Sequence, residues 1–246
     1  VKGAKHKHLL FTDADCKPSS ENWIYEMTKN FKSNDVLIGV SPLKGGEGVW
    51  AFLSRFDSNL IAYNYISYTL AKIPFMAVGR NMAATKTSFF SVKGFKSHYN
   101  IPSGDDDLFL RDVKKTSSIG LVFNPESLTF SEPKSSLVSW VKQKKRHFLT
   151  APKYSLFNKL LLGIYSLSYI LFLISFISLL MLKSLTWMVL VLFIVRYVLQ
   201  ISFAFKPFKL MGETNKLILY PFLELVLFIG NGLIYYSNVF LKPNKW

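Results

Sequence analysis

The chain has 246 residues, with 30 Lys and Arg against 15 Asp and Glu, a net charge of +15, and half of its residues are hydrophobic. Its single cysteine, Cys16, excludes an internal disulfide, so the fold needs no oxidising compartment. The charge would draw nucleic acid, anionic lipid or a phosphate-bearing substrate alike, but no RNA-recognition signature, zinc-finger spacing or basic helix with heptads accompanies it. A membrane surface is the simpler explanation, and nucleic acid is not an expected partner.

The apolar residues crowd into the last ninety or so positions, and this divides the chain into a water-exposed part over residues 1–150 and a bilayer-spanning part over 151–246. Residues 2–8 are basic and hold no apolar run of the kind a signal peptide has, and Val1 in place of Met reads as a chain that continues upstream. The run His8-Leu9-Leu10-Phe11-Thr12 predicts a short buried strand, central rather than at an edge, with its neighbours upstream. Lys17-Pro18-Ser19-Ser20 turns the chain, and Trp23, Met27 and Phe31, spaced by four, predict one face of a helix over 20–32. Val36, Leu37, Ile38 and Val40 predict a second strand, and the glycines of residues 44–48 a loop. A long helix follows over 49–72. Its rings Trp50, Phe52, Phe56, Tyr63, Tyr65 and Tyr68 fall on more than one face, which suits either a core helix or one lying at a membrane boundary.

Three apolar runs close the chain, over 156–182, 185–205 and 217–236, each near the ~20 residues that cross ~30 Å of hydrocarbon. Lys183-Ser184 is too short for anything but a hairpin between the first two, and Lys206, Lys209 and Lys216 mark a basic loop after the second. Alternating spans then place that loop beside residues 1–150 on the cytoplasmic side of a cell (inner) membrane and the C-terminal tail, with Lys242 and Lys245, outside, whereas a re-entrant last run would reverse the placement of the tail. Arg196 and Glu224 fall inside these runs. Each would be disfavoured by roughly 2.5–3.5 kcal/mol at the centre of a bilayer, so a mutual salt bridge inside the bundle or a part in binding a lipid acceptor accounts for them.

Three polar segments carry candidate chemistry. In Thr12-Asp13-Ala14-Asp15-Cys16 two carboxylates, Asp13 and Asp15, follow a strand directly and emerge at its C-terminal edge, where ligands bind in open sheets and oxygen ligands can hold a divalent cation. Asp105-Asp106-Asp107 precedes an apolar helical run; a helix N-cap explains one acid but not three, and crowding can raise one pKa enough for a general base. Trp140-Val141-Lys142-Gln143-Lys144-Lys145-Arg146-His147 is basic and aromatic just ahead of the first apolar run, as a membrane anchor would be, though anchoring does not require Gln143 or Arg146 in particular.

In order and spacing these segments resemble the family 2 glycosyltransferases of the GT-A fold, in the membrane-bound branch that includes cellulose and hyaluronan synthases. The segment at Asp13 and Asp15 looks like that family's metal-binding DxD, Gly79-Arg80-Asn81-Met82-Ala83 like its G-x-N-x-A acceptor-side stretch, and Gly94-Phe95 like the pair that precedes the catalytic acid. The ED motif falls on Asp105, Asp106 and Asp107 without a Glu. Gln143-Lys144-Lys145-Arg146-His147 is similar to the QxxRW motif, with His147 where Trp stands. The resemblance implies an α/β fold in which 1–150 is the C-terminal part of a GT-A, Rossmann-like catalytic domain, followed by a three-helix transmembrane region. It further implies Mg²⁺ or Mn²⁺ at Asp13 and Asp15, a base among Asp105, Asp106 and Asp107, and substrate contacts from Gly79, Asn81, Gln143, Arg146 and His147. The partners it implies are a nucleotide-sugar donor, a lipid or glycan acceptor and the membrane, with a catalytically inactive membrane adaptor of the same fold as the alternative.

Overall fold

The computed structural model describes residues 1–101, 103–183 and 186–240. Of the positions singled out above, Ser184, Leu185, Lys242 and Lys245 lie outside the described residues. The fold is mixed α/β and mostly helical.

The elements run β1 (His8–Phe11), β2 (Lys17–Pro18), α1 (Trp23–Thr28), β3 (Val36–Ile38), α2 (Gly48–Leu70), β4 (Met82–Thr85), α3 (Lys86–Ser91), α4 (Asp107–Val113), β5 (Ile119–Leu121), β6 (Thr129–Phe130) and α5 (Leu137–Phe148). Three long helices follow: α6 (Leu156–Met181), α7 (Thr186–Leu210) and α8 (Tyr220–Phe240). Four strands form one sheet in the order β1-β4-β3-β5, with β4 antiparallel to both of its neighbours and β3 parallel to β5. β2 and β6 pair as a separate ribbon.

Strand alternation sorts the core. Leu37 and Ala83 face α1, where Trp23 and Met27 cover them with Val122. Val36, Ile38, Met82 and Ala84 face the other way, into a larger cluster that holds Phe56 and Tyr65 of α2 and Phe109 of α4. The same cluster runs on without a break into Tyr197 and Phe208 of α7 and Tyr220 of α8, so the sheet and the apolar helices share one core.

Among the described residues β1 ends the sheet, pairs with β4 and buries only Leu9 of its four residues, its other edge open where upstream neighbours are expected. One expectation is corrected. The second apolar helix runs past Phe205 to Leu210, through Pro207, so Lys206 and Lys209 sit on its last turns rather than in a loop. Lys216 is buried, bonded to Glu213 at 2.7 Å and set 4.8 Å from the centre of the Phe52 ring.

The helix of residues 48–70 packs both in the core and against the apolar helices. Phe56 and Tyr65 are buried in the core, while Arg55 bonds Glu213 at 2.9 Å and Phe56 packs on Phe208 and Tyr220, fixing α2 to the apolar helices. By length and composition three helices suffice to cross a membrane: Leu156–Met181, Thr186–Leu210 and Thr214–Asn238. Between them Glu224 accepts from Tyr165 at 2.9 Å and Gln200 at 2.8 Å and pairs with Arg196 at 3.3 Å. Arg196 also lies 4.2 Å from the ring centre of Phe172. The pairing of Arg196 with Glu224 is therefore the arrangement found.

Candidate functional site

A cavity of about 1600 Å³ opens between the soluble part and helices α6 and α8. Its polar wall gathers Asp13, Gly79, Arg80, Asp105, Asp106, Asp107, Gln143, Arg146 and His147, which come from four separate stretches of the chain.

The first stretch turns directly after β1. Cys16 N–H donates to the Asp13 carbonyl at 3.1 Å, which folds the segment so that one donor atom each from Asp13, Asp15 and Cys16 lies within 4.8 Å of the others. Asp13 and Asp15 are exposed. Partial burial raises the Asp13 pKa, the guanidinium of Arg80 opposes the rise, and Asp15 and Asp105 add to it, so these groups share one electrostatic neighbourhood. Two exposed carboxylates suit a hard divalent cation, leaving positions for water and phosphate oxygens. Burial keeps the Cys16 pKa raised, so it remains a thiol and competes poorly for such an ion.

The second stretch is the turn ahead of β4. Gly79 N–H donates to Asp106 Oδ2 at 2.9 Å, tying this turn to the acid cluster. Arg80 reaches into the cavity and donates to Ser131 Oγ. Asn81 does not line the cavity. It is fully buried, accepts from Trp23 Nε1 at 3.1 Å, and donates to the carbonyls of Val40 at 2.8 Å and Ser127 at 2.7 Å. Expected to contact substrate, Asn81 instead clamps three loops beneath the site. A Cβ on Gly39 would fall 2.6 Å from its side chain, which explains the glycine there.

The three consecutive aspartates occupy three environments. Asp105 is exposed toward the cavity. Asp106 caps α4 by accepting Asp107 N–H at 2.8 Å, and its pKa is raised by burial and then by Asp105. Asp107 is buried and accepts from Tyr154 Oη at 2.6 Å and Thr150 Oγ1 at 3.3 Å. Burial, with the charge of Asp106 added, pushes its pKa well up, and its bonds to Tyr154 and Thr150 support the loop. Gly104, at φ +93°, lets the loop approach Thr150 closely; a Cβ there would lie 2.8 Å from the threonine methyl.

The fourth stretch is α5, started by the Ser136 cap on Ser139 N–H. Gln143, Arg146 and His147 face the cavity from this helix. Partial desolvation by the surrounding atoms, then the charges of Lys144, Arg146 and Arg80, lower the His147 pKa, although the residue keeps an exposed face. The helix is aimed by a contact that no motif signals: Lys144 is buried and bonds Asp57 of α2 at 2.7 Å, and Trp140 Nε1 donates to the same carboxylate at 3.4 Å.

Arg80, Lys144 and Asp57 are the cavity-wall residues that sequence reasoning passed over. Lys144 lies in a basic run that reads as solvated surface, and Arg80 occupies an unspecified position of its motif. No family model matches the chain, and no curated protein matches it either.

Proposed function

We propose that this chain carries the acceptor side and the membrane region of an inverting glycosyltransferase, which moves a sugar from a nucleotide-diphosphate donor to a lipid or glycan acceptor at the membrane. The supporting observation is a cavity in which the exposed carboxylate of Asp13 after a strand, a carboxylate of raised pKa and a pair of arginines meet beside helices able to cross a bilayer.

In this reading Asp106 is the general base. Held by Gly79 and by the first turn of α4, it takes the acceptor hydroxyl proton as the acceptor oxygen bonds to the anomeric carbon. The bond from that carbon to the diphosphate breaks on the opposite side, the diphosphate leaves with the electron pair, and the configuration inverts. Arg146 and Arg80 provide fixed positive charge for the leaving diphosphate, and Gln143 and His147 border the acceptor. Asp13 and Asp15 would hold Mg²⁺ or Mn²⁺, which when bound supplies further charge to the departing diphosphate.

The test is sugar-nucleotide turnover by the full-length protein in membranes, with Mn²⁺ or EDTA, comparing wild type with Asp15→Ala and Asp106→Asn. Turnover lost in EDTA and in both variants, with donor binding retained in Asp106→Asn, is the expected result. Turnover indifferent to all three removes the site and leaves the inactive adaptor as the better description.

A further inference from the structure

The cavity's lining is of two kinds. Asp13, Arg80, Asp105 and Arg146 are polar or charged. Ile170 of α6 and Ile229, Leu233 and Tyr236 of α8 line it as well, and they are exposed at 41%, 53%, 69% and 67%. All four lie on helices long and apolar enough to cross a membrane, which suits contact with hydrocarbon.

The wall formed by α6 and α8 is also roomy. Gly163 of α6 and Gly232 of α8 both line it, and a Cβ built on either meets no atom within 4 Å. Glu224 borders the cavity, but Tyr165, Gln200 and Arg196 already bind its carboxylate. Polar groups remain at Lys159, Ser166, Asn231 and Tyr235, set among Leu162, Ile170, Leu227, Phe228, Ile229 and Leu233. A glycan strand carries hydroxyls along its whole length, and those against Leu227, Phe228 and Leu233 would go unbonded. A hydrocarbon chain would lose nothing there.

We propose that the acceptor is a membrane lipid alcohol, one hydroxyl at the head of a long hydrocarbon chain, which enters sideways between α6 and α8. The head reaches Asp105 and Asp106 while the chain remains against the two helices, with Gly163 and Gly232 providing the width. The proposal rests on the glycosyl-transfer reading above and narrows its acceptor to one class.

Two measurements on the full-length protein separate the two levels. In nanodiscs, hexadecanol carrying a mid-chain diazirine is irradiated, and the labelled peptides are mapped. Labelling concentrated on the facing sides of α6 and α8, displaced by plain hexadecanol and lost in Gly163→Phe and Gly232→Phe, is expected. Both substitutions replace a helical glycine with a better helix former in open space, so an unchanged melting temperature accompanies the loss. Labelling spread evenly over the outer faces of α6 and α7 and unmoved by either phenylalanine overturns the lipid path.

In membranes, tritium from UDP- and GDP-hexoses is followed into chloroform-extractable or water-soluble product. EDTA-sensitive transfer into the chloroform phase, lost in the phenylalanine variants, supports the lipid acceptor. Transfer into water-soluble glycan overturns it and leaves glycosyl transfer standing; absence of donor turnover overturns both.

Discussion

Asp107 and Asp106 are adjacent in sequence and separated in role by what surrounds them. The carboxyl of Asp107 is held by Tyr154 and Thr150, while among the described residues Asp106 bonds backbone N–H groups and faces the cavity. Because burial raises the Asp107 pKa above its unfolded value, the folded protein binds the extra proton. That contribution to stability is fully present below the unfolded carboxylate pKa and is lost as pH rises through the raised one. Asp107→Asn keeps an acceptor for Tyr154 and removes the ionisation. Its melting temperature should lie nearest that of wild type below about pH 4 and exceed it increasingly as the pH rises toward 8, as the unfolded wild-type carboxyl ionises and the folded one resists doing so. Asp107→Leu removes the acceptor and should lower stability by roughly 1–3 kcal/mol at either end of that range. A melting curve for Asp107→Asn that tracks wild type from pH 5 to 8 would show Asp107 to be ionised throughout.

At the scale of elements, the site depends on how α5 is held against α2. Lys144 and Asp57 have side chains 7% and 8% exposed, so removing one partner strands a buried charge. Lys144→Met alone should cost roughly 3–5 kcal/mol, whereas Lys144→Met with Asp57→Leu should recover most of that loss. Denaturant unfolding of the two variants measures the difference, and equal losses in both would mean that the pair's hydrogen bonding, and not charge burial, dominates. This pair also shows where sequence reading stopped. Trp23 and Met27, the Val36-Leu37-Ile38 run and the glycines after it were legible because each follows from local period or turn chemistry. Asp13, Asp105 and Arg146 were legible as motif positions, and the fold does bring them to one cavity. A contact spanning 87 residues leaves no local pattern, so Lys144 read as one more surface lysine. Asn81 was legible as a motif residue but not as a clamp, since its partners Trp23, Val40 and Ser127 lie far from it in the chain.

For the whole molecule the question is where α8 lies. Its first residue, Tyr220, packs on Phe56 of α2, and near its other end Asn238 donates to the Lys145 carbonyl at 3.0 Å while Tyr235 meets Phe148 edge-on. Phe56 and Lys145 flank the Asp57–Lys144 bond, so both ends of α8 touch the soluble part through the same pair of helices. A helix of 21 residues is about 31 Å long, enough to cross the hydrocarbon, yet a crossing helix anchored on one side would carry its far end away from that side. Lying along α5, α8 borders the cavity with both of its ends against residues 1–150, which predicts that the chain returns to the side it left. After Cys16→Ser, single cysteines at Asn215 and at Ser237 in sealed vesicles of both orientations should react with a membrane-impermeant maleimide from the same face. Reaction of the two from opposite faces would put α8 across the bilayer, detach it from the cavity, and require the Asn238–Lys145 contact to open in the membrane.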